Sequence, residues 1–102
     1  MPARNGRQYL DGLRAQERLI YMGGERVRDV TKHLGLASGA RAVAALYDMQ
    51  HDPALAAEMT YTSPSSEDPV GLSFIIPRSH DDLIRRRNMM LHWARSTCGM
   101  MG

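Results

Sequence analysis

The side chains able to do chemistry are few and scattered. Cys98 is the single cysteine, so no internal disulfide can form. Its nearest histidine, His92, lies six residues away, on a different part of any helix surface. A nucleophile and base at that spacing do not meet, and a lone thiol is expected to serve as a small buried hydrophobe. The four histidines are His33, His51, His80 and His92. No two stand three or four residues apart, so the short ligand spacing of a structural zinc site is missing and no metal ligand is assigned.

Arg85-Arg86-Arg87 is a compact basic run. On a helix these side chains fan around the circumference, so the expected role is a solvated or subunit-facing surface. Arg78, just ahead of that helix, is the better candidate for one specific ion pair. Asp81-Asp82 is the adjacent carboxylate pair. It falls in the expected first turn of a helix, where the helix dipole favours negative charge, and that suffices to explain it. Gly23-Gly24 lacks the glycine spacing and following helix of a dinucleotide loop and is expected to be a turn. No acid–base pair stands out.

The elements that would position these groups are mainly helical. Asn5 with Gln8 resembles a capping box, and Tyr9, Leu10 and Leu13 share one face of the short helix that follows. Leu19 to Met22 and Arg26 to Arg28 flank Gly23-Gly24 as a small hairpin. Two strands alone are marginal in water and must pack on another element. Ser38 is the expected N-cap of a second helix, residues 40–50, with Ala42, Ala45, Leu46 and Met49 as its apolar stripe and Val43 and Tyr47 widening it. Asp52-Pro53 stops that helix and opens a short third one near residues 53–59. Residues 60–69 are rich in Thr, Ser and Pro and are expected to be a loop. Val70 to Pro77 alternates as an extended segment would. Ser79 with Asp82 starts a last helix, with Leu83, Ile84, Met90, Leu91, Ala94 and Cys98 as its stripe.

Composition narrows the classes further. A chain of 102 residues fits one small domain, and a deep pocket between domains is more than that much material supplies. Arginine outnumbers lysine twelve to one, but the formal net charge is only +2, which argues against a phosphate-tracking nucleic-acid surface. No apolar run approaches the roughly 20 residues of a membrane span, and the first residues lack the apolar stretch of a signal peptide. The expected setting is the cytoplasm, with neither membrane nor nucleic acid as partner. The residues alone therefore indicate a helical chain with no identifiable active site.

Six segments, in order, resemble the N-terminal region of the 4-hydroxyphenylacetate 3-monooxygenase oxygenase family. They are Arg7 to Leu13, Tyr21 to Val30 (YMGGERVRDV), Leu46 to Pro53 (LYDMQHDP), Thr60 to Pro64 (TYTSP), Val70 to Arg78 (VGLSFIIPR), and Trp93 to Gly102. The resemblance implies a helical N-terminal domain of an acyl-CoA-dehydrogenase-like fold, with residues 1–102 an incomplete first domain whose β-barrel and C-terminal helix bundle lie elsewhere. It also implies a homotetramer, reduced FAD supplied by a separate flavin reductase, and ortho-hydroxylation of a phenol to a catechol using dioxygen. In the family, Met-Met-Gly leads into an Arg-Ser-Pro-Asp-Tyr-like stretch whose Arg and Tyr hold the phenol.

That stretch has no counterpart here. The expectation is therefore that Gly99, Met100, Met101 and Gly102 approach the substrate site without forming it, and no catalytic or flavin-binding residue is carried over. The isolated chain is expected to be inactive. Two alternatives stay open: a non-catalytic helical module that binds another protein, and a flavin-dependent enzyme like the 4-hydroxybutyryl-CoA dehydratases. Cys98 lies near that branch's first cluster cysteine, but the second would fall on Gly102.

Overall fold

The first helix is built by its ends. In a computed structural model, which describes residues 1–100, α1 spans Gly6–Ala15. Asn5 Oδ1 accepts from the Gln8 N–H at 2.9 Å, and Gln8 Oε1 accepts from the Asn5 N–H at 2.8 Å, closing the expected capping box. Two otherwise unpaired N–H groups are satisfied this way. Asn5→Ala should lower stability by about 1 kcal/mol, read from the urea midpoint followed by far-UV circular dichroism.

The hairpin forms as expected from Gly23-Gly24. β1 (Ile20–Met22) pairs antiparallel with β2 (Glu25–Val27), with Ile20 opposite Val27. Gly23 and Gly24 take φ of +59° and +81°, the left-handed pair that a two-residue turn of this hand demands. Val27 turns inward and is buried. Beyond the hairpin, Asp29 accepts from the Thr31 hydroxyl at 2.5 Å and from the Thr31 N–H at 2.9 Å.

The Thr31 hydroxyl, helped by that N–H, holds the Asp29 carboxyl below its usual value. A depressed folded-state pKa contributes stability above the ordinary value near 3.9, and that contribution is lost as pH falls through the folded value. The gap in urea midpoint between the native chain and Asp29→Asn should therefore be open at pH 7 and close on acidification below about pH 4.

α2 spans Ala37–Met49, three residues earlier than expected. Ser38 is not its cap. Leu36 occupies that position with no side-chain hydrogen bond, and the Ser38 hydroxyl accepts from Arg41 instead at 3.3 Å. The His33 carbonyl accepts from the Ala37 N–H at 2.8 Å, so the preceding turn starts the helix that a polar cap would otherwise have started. The stripe is rotated as well. Ala42 and Ala45 are exposed, and Ala37, Ala40, Ala44 and Leu46 are buried. Alanine is small enough to serve on either face, so periodicity among alanines does not fix which one α1 covers. The two helices approach closely: Asp48 Oδ1 accepts from the buried Gly6 N–H at 2.7 Å, and Tyr9 stacks on Tyr47 at 4.9 Å.

Asp52 ends one element and begins the next. Its carboxylate accepts from the Ala54 N–H at 2.9 Å, ahead of α3 (Ala56–Met59). Residues 60–69 are not one loop. β3 (Thr60–Thr62) pairs antiparallel with β4 (Pro69–Gly71), with Thr60 opposite Gly71. The turn between them is closed by the Ser63 N–H on the Asp68 carbonyl and the Glu67 N–H on the Ser63 carbonyl, both at 2.9 Å. Strands this short carry no readable alternation. A 3₁₀ turn, Leu72–Phe74, then leads through extended backbone to α4, His80–Ser96.

Met59, Leu72 and Met89 are fully buried and form the centre of the second half, with Met49, Leu55, Tyr61, Met90 and Trp93 packed around them. The radius of gyration, 15.6 Å, exceeds the roughly 13 Å of a compact domain of about 100 residues. The fold is mainly α with small antiparallel hairpins. No described helix is long and apolar enough to cross a membrane.

Candidate functional site

α4 carries the segment that resemblance places next to chemistry. Its start matches expectation: Ser79 Oγ accepts from the Asp82 N–H at 3.1 Å, with Asp81 and Asp82 in the first turn. Asp82 also accepts from the Arg78 N–H at 3.0 Å. Its buried face differs from the expected stripe. Met89 is fully buried, whereas Leu83 is 53 % exposed and Ile84 and Leu91 are exposed as well. The covered line runs through Asp82, Arg86, Met89, Met90, His92, Trp93 and Ala94, so Met90 and Ala94 of the expected stripe are on it. Arg86 is half-buried on this face, with its Nε shut from solvent; the methylene stem of an arginine can pack against apolar surface. A stripe drawn from apolar residues alone misses that. Arg85 and Arg87 are exposed, as a fan around the helix requires. The Arg78 guanidinium has no ion-pair partner among the described residues.

The C-terminal end of α4 is a left-handed exit. Cys98 and Gly99 take φ of +54° and +82°, and the Ala94 carbonyl accepts from the Gly99 N–H at 2.8 Å, the long closing bond of a Schellman turn. Thr97 Oγ1 donates to the Trp93 carbonyl at 2.8 Å. Cys98 is exposed rather than buried, because the turn points its side chain off the helix. Gly99 and Met100 are exposed at this exit. Met101 and Gly102 lie outside the described residues.

The histidines serve separate local contacts. His92 Nε2 meets Glu58 Oε2 at 2.7 Å, linking α4 to α3. His51 Nε2 lies 3.1 Å from the Ala3 carbonyl, and His33 Nδ1 accepts from the Gly35 N–H at 3.1 Å. No group of three or more metal-ligating side chains gathers among the described residues.

The clefts are open to solvent. One, of about 650 Å³, runs past Tyr61, Ile76, Arg78 and Arg85. A smaller cavity of about 150 Å³ lies between α2, α4 and the 3₁₀ turn, walled by Val43, Tyr47, Gln50, Phe74 and Trp93. Sequence reasoning did not single out Gln50, Phe74 or Trp93. The signal was present in Trp93, the sole tryptophan of the chain.

Residues 5–102 match the family model described as 4-hydroxyphenylacetate 3-hydroxylase N terminal. This chain belongs to that family. Among members of the 4-hydroxyphenylacetate hydroxylase family, the 4-hydroxyphenylacetate 3-monooxygenase oxygenase component of Geobacillus sp. (strain PA-9) is 42% identical over 102 residues, all of this chain and 20% of the relative. The Thermus thermophilus oxygenase component is 38% identical over 100 residues, 98% of this chain and 20% of its own. A 4-nitrophenol 2-monooxygenase oxygenase component from Rhodococcus is 37% identical over 100 residues, covering 95% of this chain and 19% of that one.

The crystal structure of an oxygenase component of 4-hydroxyphenylacetate 3-monooxygenase, complexed with FAD and 4-hydroxyphenylacetate, superposes with a TM-score of 0.90 at 38% identity. It covers 98% of this chain and 21% of that one. The chain thus spans about a fifth of the length of the relatives it matches.

Proposed function

We propose that this chain is the N-terminal part of the oxygenase component of a two-component monooxygenase that hydroxylates a phenol of the 4-hydroxyphenylacetate type, ortho to its hydroxyl, to a catechol. The observation that carries the reading is agreement along essentially the whole chain, in sequence and in fold, with an oxygenase whose structure holds FAD and 4-hydroxyphenylacetate. A separate reductase component would supply the reduced flavin, consistent with the relatives' designation as oxygenase components. A β-barrel, a C-terminal helix bundle and tetrameric assembly would come from the rest of the polypeptide.

No flavin contact is carried over to a residue of this chain. The clefts of the described residues are open, and Gly23-Gly24 is a hairpin turn rather than a phosphate cradle. No step of the reaction is therefore assigned to a side chain of this chain. Reduced FAD, when bound by the whole oxygenase, supplies the chemistry with dioxygen. The contribution of this segment is positional. α4 ends in a left-handed turn that re-aims the backbone at Gly99 and Met100, and the chain after it would reach the phenol.

The test is a chimera in which this chain replaces the matching fifth of the Thermus thermophilus relative, supplied with reduced FAD, dioxygen and 4-hydroxyphenylacetate. Catechol is expected from the chimera, and neither catechol nor flavin binding from the isolated chain. A folded chimera that makes no catechol contradicts the reading.

A further inference from the structure

Apolar contact alone orients α4 poorly. Met89 is its one fully buried residue, and it meets Met59 and Leu72 in the core cluster. Hydrophobic contact is non-directional, so it fixes how near α4 lies to α3 better than it fixes rotation about the helix axis.

A directed contact stands beside it. His92 follows Met89 by three residues, which puts both on one side of α4. Its Nε2 meets Glu58 Oε2 at 2.7 Å, and Glu58 is the sequence neighbour of the buried Met59. An ionised carboxylate only accepts, so Nε2 carries the proton and donates. The His92 side chain is 20 % exposed, so the ring is largely enclosed between the two helices. Among the described residues, no other side chain of α4 hydrogen-bonds to an element distant in sequence. The far end of the bond is anchored. Thr60 Oγ1 donates to the Ala56 carbonyl at 2.7 Å, and α3 runs directly into β3.

The two residues after His92 set the exit from α4. The Trp93 carbonyl accepts from the Thr97 N–H at 3.0 Å, and the Ala94 carbonyl accepts from the Gly99 N–H at 2.8 Å. Turning α4 at His92 therefore swings the left-handed turn with it. Helix Cα atoms lie about 2.3 Å from the axis, so a rotation of about 25° moves them by about 1 Å. A misplacement of that size at a reacting centre costs up to about a hundredfold in rate. A part-exposed ion pair adds little to stability, so what this one supplies is direction.

We propose that His92 is a positioning residue of the oxygenase: by donating to Glu58 it fixes the rotation of α4, and with it the aim of the Gly99 exit toward the phenol. This rests on the reading that the chain after α4 reaches the substrate.

The test is the ratio of catechol formed to hydrogen peroxide released by the Thermus thermophilus chimera. Reduced FAD and dioxygen that miss the phenol end as oxidised FAD and hydrogen peroxide, so the ratio reports aim and is independent of how much enzyme folds. His92→Leu and Glu58→Leu should each lower it by about threefold or more. The double variant should be no lower than either single one, because both remove the same bond. A parent chimera that makes catechol, with single variants that keep its ratio, overturns the positioning role and leaves the proposed function standing. A double variant whose loss is the product of the two single losses also overturns it.

The rotation is read without activity as well. The chain labelled with 5-fluorotryptophan carries one fluorine reporter, at position 93. The parent should give one narrow resonance, and His92→Leu and Glu58→Leu should each broaden or split it while the far-UV circular dichroism stays the same. That result upholds the latch even where a folded parent chimera makes no catechol and the proposed function fails. One narrow, unmoved line in both variants overturns the proposal.

Discussion

Met89→Ala is expected to abolish the cooperative unfolding transition of this chain. Met89 is fully buried, and only Met59 and Leu72 are comparably enclosed among the described large side chains. These three form the whole centre against which α3, the 3₁₀ turn and α4 pack. Truncating a buried methionine to alanine costs about 2–5 kcal/mol, through lost transfer energy and the cavity left behind. Single domains hold only about 5–15 kcal/mol in total, and small ones sit at the low end. The substitution removes one of the three fully buried side chains of this cluster, where α3, the 3₁₀ turn and α4 meet, so the neighbours have little to collapse onto. Near-UV circular dichroism and urea unfolding check this: the variant should show no fixed tertiary signal. Leu83→Ala, on the exposed face of the same helix, should leave the midpoint nearly unchanged. If both variants unfold alike, the buried face of α4 is assigned wrongly.

Gly6→Ala is expected to destabilise the chain by about 2–3 kcal/mol, the upper part of the usual range for overpacking. The sign is informative because helix propensity works the other way. Alanine is the better helix former by up to about 1 kcal/mol. Steric exclusion outweighs this, since a Cβ at Gly6 would lie 2.5 Å from the Ala44 carbonyl oxygen and 2.7 Å from Asp48 Oδ2. The backbone of α2 cannot yield locally, so α1 must withdraw. Withdrawal breaks the Gly6 N–H bond to Asp48 and separates the Tyr9–Tyr47 stack. Gly39, inside α2 with open space around its Cβ position, is the matched control. Gly39→Ala should raise the urea midpoint while Gly6→Ala lowers it. A rise in both would show that α1 and α2 are not in the close contact described.

The features legible in the sequence were those fixed by local chemistry. Asn5 with Gln8, Gly23-Gly24 and Ser79 with Asp82 each set a boundary through a hydrogen bond or φ preference a few residues long, and each stands as expected; Asp52-Pro53 separates two helices as expected, but the second begins at Ala56 rather than at Pro53. Faces were harder to read. The stripe on α2 slipped because alanines tolerate either side, and that on α4 slipped because Arg86 lies on the covered line while Leu83, Ile84 and Leu91 do not. In a segment that matches only a fifth of its relatives, apolar residues need not point at the part of the core in hand. The same reason hid Phe74, Gln50 and Trp93, whose roles depend on neighbours far off in sequence. β3 and β4 were missed because three-residue strands carry no alternation, and their pairing rests on the Ser63 turn. The family was legible from six ordered segments, whereas Cys98, the four histidines and the Arg85 to Arg87 run each serve separate places in the described fold.

The most direct test of the account is catechol formation by the chimera that joins this chain to the remaining four-fifths of the Thermus thermophilus oxygenase. With reduced FAD, dioxygen and 4-hydroxyphenylacetate, the product should be the ortho-hydroxylated catechol, while the 102-residue chain alone gives none. A folded chimera that only oxidises the flavin and leaves the phenol untouched would contradict the assignment, and so would catechol from the isolated chain.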